Sequence, residues 1–272
     1  MDILLLIPVF IFGTIIGSFL NVVIYRYNSG TSPLTGRSHC FSCGKTLTWS
    51  ELIPLFSFLI ARGRCAGCQV RLSWQYPIVE ALTGLVFVSV FLLGKPVLET
   101  VILLAVFSTL LVIAVYDLRH QIIPDGLAFF FAILGLALFF SGVTFSQAYH
   151  FPHVWTLIAG PMLFLPFWFL WFISQGRWLG LGDGKLALGI GWFLGATLGG
   201  SAIIVAFWIG AAYALLLMGL QKISAALHKE VTHKLSMKSE IPFGPFLILA
   251  VLIVYFTGIN LFDGSFNLLS FV

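Results

Sequence analysis

Long apolar runs, each about the length of a membrane-spanning helix, dominate the hydrophobic pattern of the chain. A hydrocarbon core about 30 Å thick needs about 20 mainly apolar helical residues. The pattern predicts eight such spans: Ile3–Tyr25, Pro77–Gly94, Leu98–Tyr116, Gly126–Ser141, Val154–Ile173, Leu186–Gly199, Ser201–Leu220 and Ile241–Leu261. Only Gly199-Gly200 divides the sixth span from the seventh. A half-length run, Leu52–Ala61, is predicted to be the core of a loop domain or an interfacial helix.

Composition and charge placement agree with an all-α polytopic membrane protein. The chain is 60% hydrophobic and 9% charged, whereas soluble domains carry about 25% charged residues. With eight spans, all but one of the 14 basic residues fall on one side, the exception being Lys95. Lys and Arg are enriched in cytoplasmic loops, so this side is predicted to be cytosolic and both termini to face outward. The basic residues are dispersed over loops, so no nucleic-acid partner is predicted.

The spans divide the chain into three predicted parts. Residues 1–25 form the first transmembrane helix, residues 26–76 a cytosolic insert, and residues 77–272 a transmembrane bundle. The insert contains every cysteine of the chain, arranged as two Cys-x-x-Cys pairs: Cys40, Cys43, Cys65 and Cys68. Four thiolates in two such pairs suit one tetrahedral Zn²⁺.

The alternatives for the cysteines are two disulfides or four unrelated thiols. Disulfides are rare in the reducing cytosol. Because four Cys ligands leave no open position, a zinc ion here is predicted to be structural and to stabilise an insert with a small core. His39 adjoins Cys40 and is an alternative ligand, although a solvated loop histidine is the simpler interpretation.

Two aspartates at the predicted cytosolic edge are the main candidates for chemistry. Asp117 follows the third span, where a helix C-terminus disfavours a carboxylate. Asp183 lies in Gly180-Leu181-Gly182-Asp183-Gly184, and its structural interpretation is a helix N-cap. Two carboxylates in one partly dehydrated site favour a shared proton, the arrangement that aspartic proteases use to activate water and polarise a carbonyl. Glu80, in the first turn of the second span, is explained by the helix N-terminus alone.

Several ordered motifs give the chain a resemblance to the type IV prepilin peptidases, which belong to the GxGD class of membrane aspartic proteases. They run over most of the chain: Gly17-Ser18-Phe19-Leu20-Asn21, the paired cysteines, Glu51-Leu52-Ile53-Pro54, Tyr76-Pro77 with Glu80, Asp117-Leu118-Arg119-His120-Gln121, Gly180-Leu181-Gly182-Asp183, and Pro242-Phe243-Gly244-Pro245. The resemblance implies that Asp117 and Asp183 are catalytic, with Gly180, Gly182 and Lys185 as supporting residues. It also implies a zinc-bearing insert.

The resemblance further implies an activity and its partners. Enzymes of this family remove the short basic leader from type IV prepilins, or from pseudopilins of type II secretion, at the cytosolic face of the bacterial inner membrane. Many then N-methylate the new N-terminus with S-adenosylmethionine, for which no cofactor-binding residues are identifiable in the sequence. A substrate helix could pack on Gly13 and Gly17, although this spacing more often serves ordinary helix packing. The sequence indicates no oligomeric state.

Three rival hypotheses remain open. Asp125 competes for a place in the catalytic pair, although its position after Pro124 is typical of a helix N-cap. A transporter would use Asp117 and Asp183 as ion or proton ligands. A non-catalytic membrane assembly protein would be organised by the zinc insert.

Overall fold

A computed structural model describes residues 3–142, 153–226, 242–263 and 265–266. Within these ranges the chain forms eight α-helices and one hairpin of two-residue strands. The helices are α1 Ile3–Arg26, α2 Phe56–Ile60, α3 Gln75–Leu92, α4 Val97–His120, α5 Asp125–Gly142, α6 His153–Ser174, α7 Leu181–Ala226 and α8 Gly244–Thr257. The strands β1 Ile259–Asn260 and β2 Ser265–Phe266 pair antiparallel.

The helices confirm an all-α polytopic membrane fold. Among the residues that the structure describes, five stretches are long and apolar enough to cross a bilayer: Leu4–Arg26, Gln75–Leu92, Val97–His120, Val154–Ser174 and Leu181–Gln221. Two shorter apolar helices, Asp125–Ser141 and Gly244–Thr257, correspond to the fourth and eighth predicted spans. The half-length run forms a 3₁₀ turn, Trp49–Leu52, followed by α2.

The predicted boundary between the sixth and seventh spans is in the wrong place. α7 is interrupted at Gly195, whose φ of 79° and ψ of −179° lie outside the helical region. This combination of angles is essentially restricted to glycine. Gly199 and Gly200 are helical instead, and Gly199 lets Leu163 of α6 approach closely. The sequence identified a glycine-rich boundary but could not tell which glycine has the non-helical conformation.

Two predicted ends also differ from the structure. α4 continues to His120, so Asp117 lies in its last turn rather than after it. α8 is shorter than the predicted last span, because it begins at Gly244 and ends where Gly258 adopts a left-handed φ of 65°. Ile241, where that span was predicted to begin, lies outside the described residues.

The chain divides into two compact units, residues 1–112 and 113–272, and the boundary falls within α4. In the first unit, α1 packs on α3 through small residues. A Cβ on Gly13 would come within 2.8 Å of the Gly84 Cα, and one on Gly17 within 2.7 Å of the Glu80 Cα. Both glycines are therefore covered by α3, as expected of ordinary helix packing, and they are not accessible to a substrate helix.

In the second unit, α7 packs on both α5 and α6 by the same means. A Cβ on Gly191 would meet the Ala159 carbonyl oxygen of α6 at 2.4 Å, and one on Gly135 of α5 would meet the Phe193 backbone nitrogen at 3.1 Å. The Trp192 indole donates to the Leu157 carbonyl at 2.9 Å. Lipid tails are as apolar as helix surfaces, so burying apolar side chains does not drive two helices together in a membrane. Close van der Waals contacts of this kind stabilise the helix pairs instead.

The break at Gly195 predicts a large difference between two glycine substitutions in α7. Gly195→Ala forces a side chain into a glycine-only conformation, which costs about 1–3 kcal/mol. Gly219→Ala adds a methyl group where no atom lies within 4 Å, and in a helix interior it stabilises by about 0.5–1 kcal/mol. Thermal unfolding in detergent should therefore show a lower midpoint for Gly195→Ala and an unchanged or higher one for Gly219→Ala. Equal midpoints would contradict the break.

Candidate active site

Asp117 is a buried carboxylate in the last turn of α4, and it is 4% exposed. The helix ends just beyond it, where Gln121 takes a left-handed φ of 54° and its N–H bonds to the Asp117 carbonyl at 2.8 Å. Ile123 then leads into α5. The chain therefore turns immediately after the aspartate.

The N-terminus of α8 contacts the Asp117 side chain. The backbone N–H of Gly244 donates to Oδ2 of Asp117 at 3.1 Å. The first N–H groups of a helix have no partner within the helix, and the partial positive charge at this end suits an anion. A Cβ on Gly244 would lie 2.6 Å from the same Oδ2. Only glycine lets the amide approach this closely.

Asp183 lies in the first turn of α7 and is 9% exposed. It is the third residue of the helix rather than its N-cap, and its carboxylate receives a backbone hydrogen bond from Gly180. An acidic side chain that reaches back to the residue preceding the helix is a common N-terminal arrangement. The structural interpretation of this residue therefore holds in a modified form, and it does not exclude a chemical role.

The two carboxyl groups lie in the same region of the second unit, and the charge of Asp117 acts on the Asp183 carboxyl. Ile123 packs between the segments that carry them. A Cβ on Gly182 would meet the Ile123 Cβ at 2.9 Å, and a Cβ on Gly244 would meet its Cδ1 at 3.2 Å. The ends of α4, α7 and α8 thus converge around one buried isoleucine. The assignment of Asp117 and Asp183 as catalytic groups stays a prediction.

Lys185 and Asp125 form an ion pair in which Nζ and Oδ1 are 2.6 Å apart. In the sequence, Lys185 follows Asp183 by two residues and Asp125 follows Asp117 by eight. The Asp125 side chain is 65% exposed and is the first residue of α5. Its position at the helix start fits the structural interpretation better than membership of a buried pair. The predicted supporting residue Lys185 therefore links the start of α7 to the start of α5.

The cysteines of the first unit cluster as the spacing predicted. The Sγ atoms of Cys40, Cys43, Cys65 and Cys68 all lie within 4.8 Å of one another, close enough to hold one metal ion. All four are free thiols. Backbone hydrogen bonds from Cys68 and Gly67 lower the pKa of the Cys65 thiol to about 6. Metals bind thiolates, so these amides favour the binding form.

The two Cys-x-x-Cys segments form a structural repeat with an offset of 25 residues, and we call them the first and second knuckles. In the first, the N–H of Cys40 bonds to Lys45 O and that of Gly44 to Cys40 O. The second repeats both bonds, from Cys65 to Val70 O and from Gln69 to Cys65 O. Antiparallel bridges close the knuckles at His39–Thr46 and Arg64–Arg71. His39 therefore has a backbone role in closing a knuckle.

A polar link fixes the segment between the knuckles. Glu51 accepts from the Thr48 backbone N–H at 2.8 Å and from Lys45 Nζ at 2.7 Å. Lys45, followed by Thr48, therefore lowers the pKa of Glu51 to about 2. The pattern Thr48-x-x-Glu51 is a capping-box signature, and the structure shows both of its hydrogen bonds.

The prediction that Glu80 lies in the first turn of its helix is wrong, because α3 begins at Gln75 and Glu80 lies in the second turn, where the helix N-terminus does not explain it. It is buried, and its Oε2 accepts from the backbone N–H of Leu55 at 2.8 Å. Leu55 has a φ of 60°, an unusual conformation for a branched residue. Sequence reasoning missed this bond and the Gly244–Asp117 bond, because both join residues that are distant along the chain.

Two family sequence profiles match the chain. The sequence profile of the Bacterial Peptidase A24 N-terminal domain matches residues 11–93, and that of the Type IV leader peptidase family matches residues 104–215. The first match contains both knuckles, and the second contains Asp117 and Asp183. No solved structure matches the chain.

Curated proteins named prepilin leader peptidase/N-methyltransferase are similar over most of the chain. The protein from Dickeya chrysanthemi is 31% identical over 270 residues, with 89% of each chain covered. That from Bacillus subtilis is 31% identical over 250 residues, covering 92% of this chain and 93% of the relative. That from Myxococcus xanthus is 38% identical over 191 residues, which span 68% of this chain and 55% of the relative.

The cysteine cluster predicts that metal binding depends on the paired thiols. Replacing Cys40 and Cys43 by Ser removes half of the ligands, so the purified protein should lose its bound metal and unfold at a lower temperature. Elemental analysis of the detergent-purified chain measures this directly. Ser42→Ala, between the same two cysteines, is the matched control and should keep the metal. A parent protein that contains no metal would refute the assignment.

Proposed function

The chain belongs to the type IV leader peptidase family, and we propose that it is a membrane aspartic endopeptidase that removes the basic leader of type IV prepilins or pseudopilins. A second reaction then N-methylates the new N-terminus. The observation that carries the proposal is that the buried Asp117 and Asp183 lie at the ends of α4 and α7, which converge with the N-terminus of α8 around Ile123. They are the only buried acids of the second unit among the described residues.

The two carboxyl groups supply the acid and the base that peptide hydrolysis needs. One carboxylate takes a proton from water as the water attacks the scissile carbonyl, and the other, protonated, donates a hydrogen bond to the carbonyl oxygen. Collapse of the tetrahedral intermediate transfers a proton to the leaving amine and breaks the C–N bond. Gly244 and Gly180 hold the carboxylates through backbone amides, which leaves their other oxygens for this exchange.

The site lies at the membrane edge on the basic, cytosolic side of the predicted topology. Asp117 is in the last turn of α4 and Asp183 in the first turn of α7. A basic leader would remain in the cytosol while the apolar helix that follows it stays in the bilayer, so the scissile bond falls at this depth. We therefore propose that the enzyme lies in the bacterial plasma membrane with both termini outward, as the distribution of basic residues predicts.

A transporter is less well supported by the same residues. Transport sites typically lie near the bilayer midplane, often at breaks within helices. The described helix break, at Gly195, is about three turns from Asp183 by the α-helical period. The acids instead occupy helix ends, as cleavage at a membrane edge requires.

The cysteine cluster is proposed to hold a structural Zn²⁺. Four thiolates suit zinc and leave no position for water or substrate. The ion would supply a crosslink between the two knuckles, whose backbone bonds already point amides at sulfur, as from Gly67 to Cys65 Sγ at 3.3 Å. The insert of residues 26–76 would then be one folded part between the first helix, residues 1–25, and the bundle, residues 77–272.

The methylation reaction requires S-adenosylmethionine, which supplies an electrophilic methyl group on a sulfonium. The amine of the trimmed substrate takes this methyl group and loses a proton, and S-adenosylhomocysteine leaves. The proposal rests on the relatives named prepilin leader peptidase/N-methyltransferase. The chain's own contribution would be to bind the donor and to position the amine.

Isosteric amides should separate the peptidase from its rivals. Asp117→Asn and Asp183→Asn each remove an ionisable group while keeping its shape, so cleavage of a prepilin peptide in detergent should fall by about 10²–10⁴-fold or more. Mass spectrometry of the peptide measures the cut. Glu99→Gln, at the opposite end of α4, is the matched control and should cleave normally. Full cleavage by either aspartate variant would contradict the peptidase assignment.

Gly244→Ala tests the position of Asp117 rather than its charge. The alanine keeps the donating N–H, but its Cβ would lie 2.6 Å from Oδ2 and displace the carboxylate. Misplacement by about 1 Å can cost about 100-fold in rate, so kcat should fall with little change in KM. Gly210→Ala, whose Cβ would make ordinary contacts of 3.6 Å with Phe246, should leave kcat unchanged. A normal kcat for Gly244→Ala would mean that the contact does not position the acid.

A further inference from the structure

A cavity of about 390 Å³ lies within the first unit, between the cytosolic ends of α1 and α3 and the two knuckles. Its volume is within the range of about 300–1,000 Å³ typical of small-molecule sites. Its walls carry both signs of charge and several aromatic rings. The carboxyl pair of the second unit does not belong to it, so peptide cleavage as proposed leaves this cavity without a role.

The most unusual feature of the cavity wall is a pair of arginines. Arg64 and Arg71 oppose each other in the bridge that closes the second knuckle, and both line the cavity. Directly opposed residues in an antiparallel pair place their side chains on one face, about 4.5–5.5 Å apart at Cβ, where like charges repel. Neither arginine has an ion pair among the described residues. An anion between them would relieve the repulsion.

The structural repeat shows that the knuckle fold does not itself need these charges. The 25-residue offset matches Arg64 with His39 and Arg71 with Thr46, which close the first knuckle by the same kind of bridge. Both knuckles carry the same backbone bonds. The arginine pair therefore occurs in only one of the two knuckles. This is expected if the arginines bind a ligand and are not needed for the fold of the knuckle.

The remaining walls suit a cationic, aromatic ligand rather than a simple anion. Tyr25 stacks on Tyr76 with ring centroids 5.3 Å apart, and Phe41 packs on Tyr25 at 5.5 Å while remaining 72% exposed. Glu80 is a buried acid on the same cavity. A phosphate would be repelled by this acid, whereas a zwitterion with a flat ring would find a partner for each of its parts.

We propose that this cavity binds the methyl donor, S-adenosylmethionine, with Arg64 and Arg71 holding its α-carboxylate. The aromatic wall formed by Phe41, Tyr25 and Tyr76 takes the adenine, and the negative side of the cavity faces the sulfonium and the amino group. This deepens the proposed function and rests on its methylation half. The methyl-donor site is then carried by the first unit and the peptidase site by the second.

The test measures binding of labelled S-adenosylmethionine to the full-length, metal-loaded chain in detergent. Arg71→Thr places in the second knuckle the residue that the first already tolerates, and Arg64→Gln/Arg71→Thr removes both charges. The loss of charge-assisted hydrogen bonds should raise the Kd by about 10–100-fold. Arg62→Gln is the matched control, because Arg62 is an exposed arginine of the same insert that does not line this cavity. It should bind normally, and metal content should be equal in all variants.

A second arm changes the ligand instead of the protein. Decarboxylated S-adenosylmethionine lacks only the group assigned to the arginines, so the parent chain should bind it far more weakly than the complete molecule. The double variant should bind both ligands about equally. This crossed comparison distinguishes a direct contact with the carboxylate from a general loss of fold, because a misfolded insert would weaken both ligands alike.

The outcomes separate the two proposals. A parent chain that binds S-adenosylmethionine while the arginine variants bind it equally well overturns the assignment of this cavity and leaves the methylation intact. Equal binding of the complete and decarboxylated ligands by the parent chain does the same. A parent chain that neither binds the donor nor methylates a trimmed pilin peptide overturns the methylation half of the proposed function.

Discussion

The hydrogen bonds between backbone amides and buried carboxylates are the interactions on which the rest of this mainly apolar structure depends. Asp117, Asp183 and Glu80 are all buried, and each takes a hydrogen bond from a backbone amide, of Gly244, Gly180 and Leu55 respectively. An unpaired charge in such surroundings would cost several kcal/mol. Backbone amides at helix ends and turns meet this need without introducing a cation. Asp117 and Asp183 accordingly lie in terminal turns of α4 and α7, and this requirement sets the geometry of the site.

Glycine makes these arrangements sterically accessible. At Gly244 the absence of a side chain lets an amide reach Asp117, whereas at Gly13 and Gly17 it lets α1 and α3 approach closely. At Gly195 it permits a backbone conformation that interrupts a long helix. The same residue type thus serves chemistry, packing and topology. Its frequency in the chain does not indicate which of these roles a given glycine has.

The two units are proposed to carry separate reactions. The second contains the converging helix ends and the carboxyl pair, which suit hydrolysis. The first contains two knuckles that a metal ion would crosslink, and the second knuckle adds the opposed pair Arg64 and Arg71. A small insert stabilised by a metal can keep polar surface for binding, since it relies less on an apolar core. Removing the metal would accordingly disturb methylation more directly than cleavage.

The sequence by itself determined the features that depend on local composition and spacing. Apolar runs identified the spans, and the Cys-x-x-Cys pairs identified a metal cluster whose four sulfurs the structure brings within 4.8 Å of one another. Asp117 and Asp183 stood out because charges are rare in such spans. The capping signature around Glu51 was also readable.

Tertiary structure alone decided which distant residues meet. It placed the Gly244 amide on Asp117, selected Gly195 rather than Gly199 as the break in α7, and paired Lys185 with Asp125. It also covered Gly13 and Gly17 with α3. The repeat of the two knuckles is visible in their backbone hydrogen bonds, whereas the two segments share few identical residues. The physical reason is the same in each case. Hydropathy and motif spacing act over a few turns of chain, whereas a close approach of two backbones depends on shapes that are set by the whole bundle.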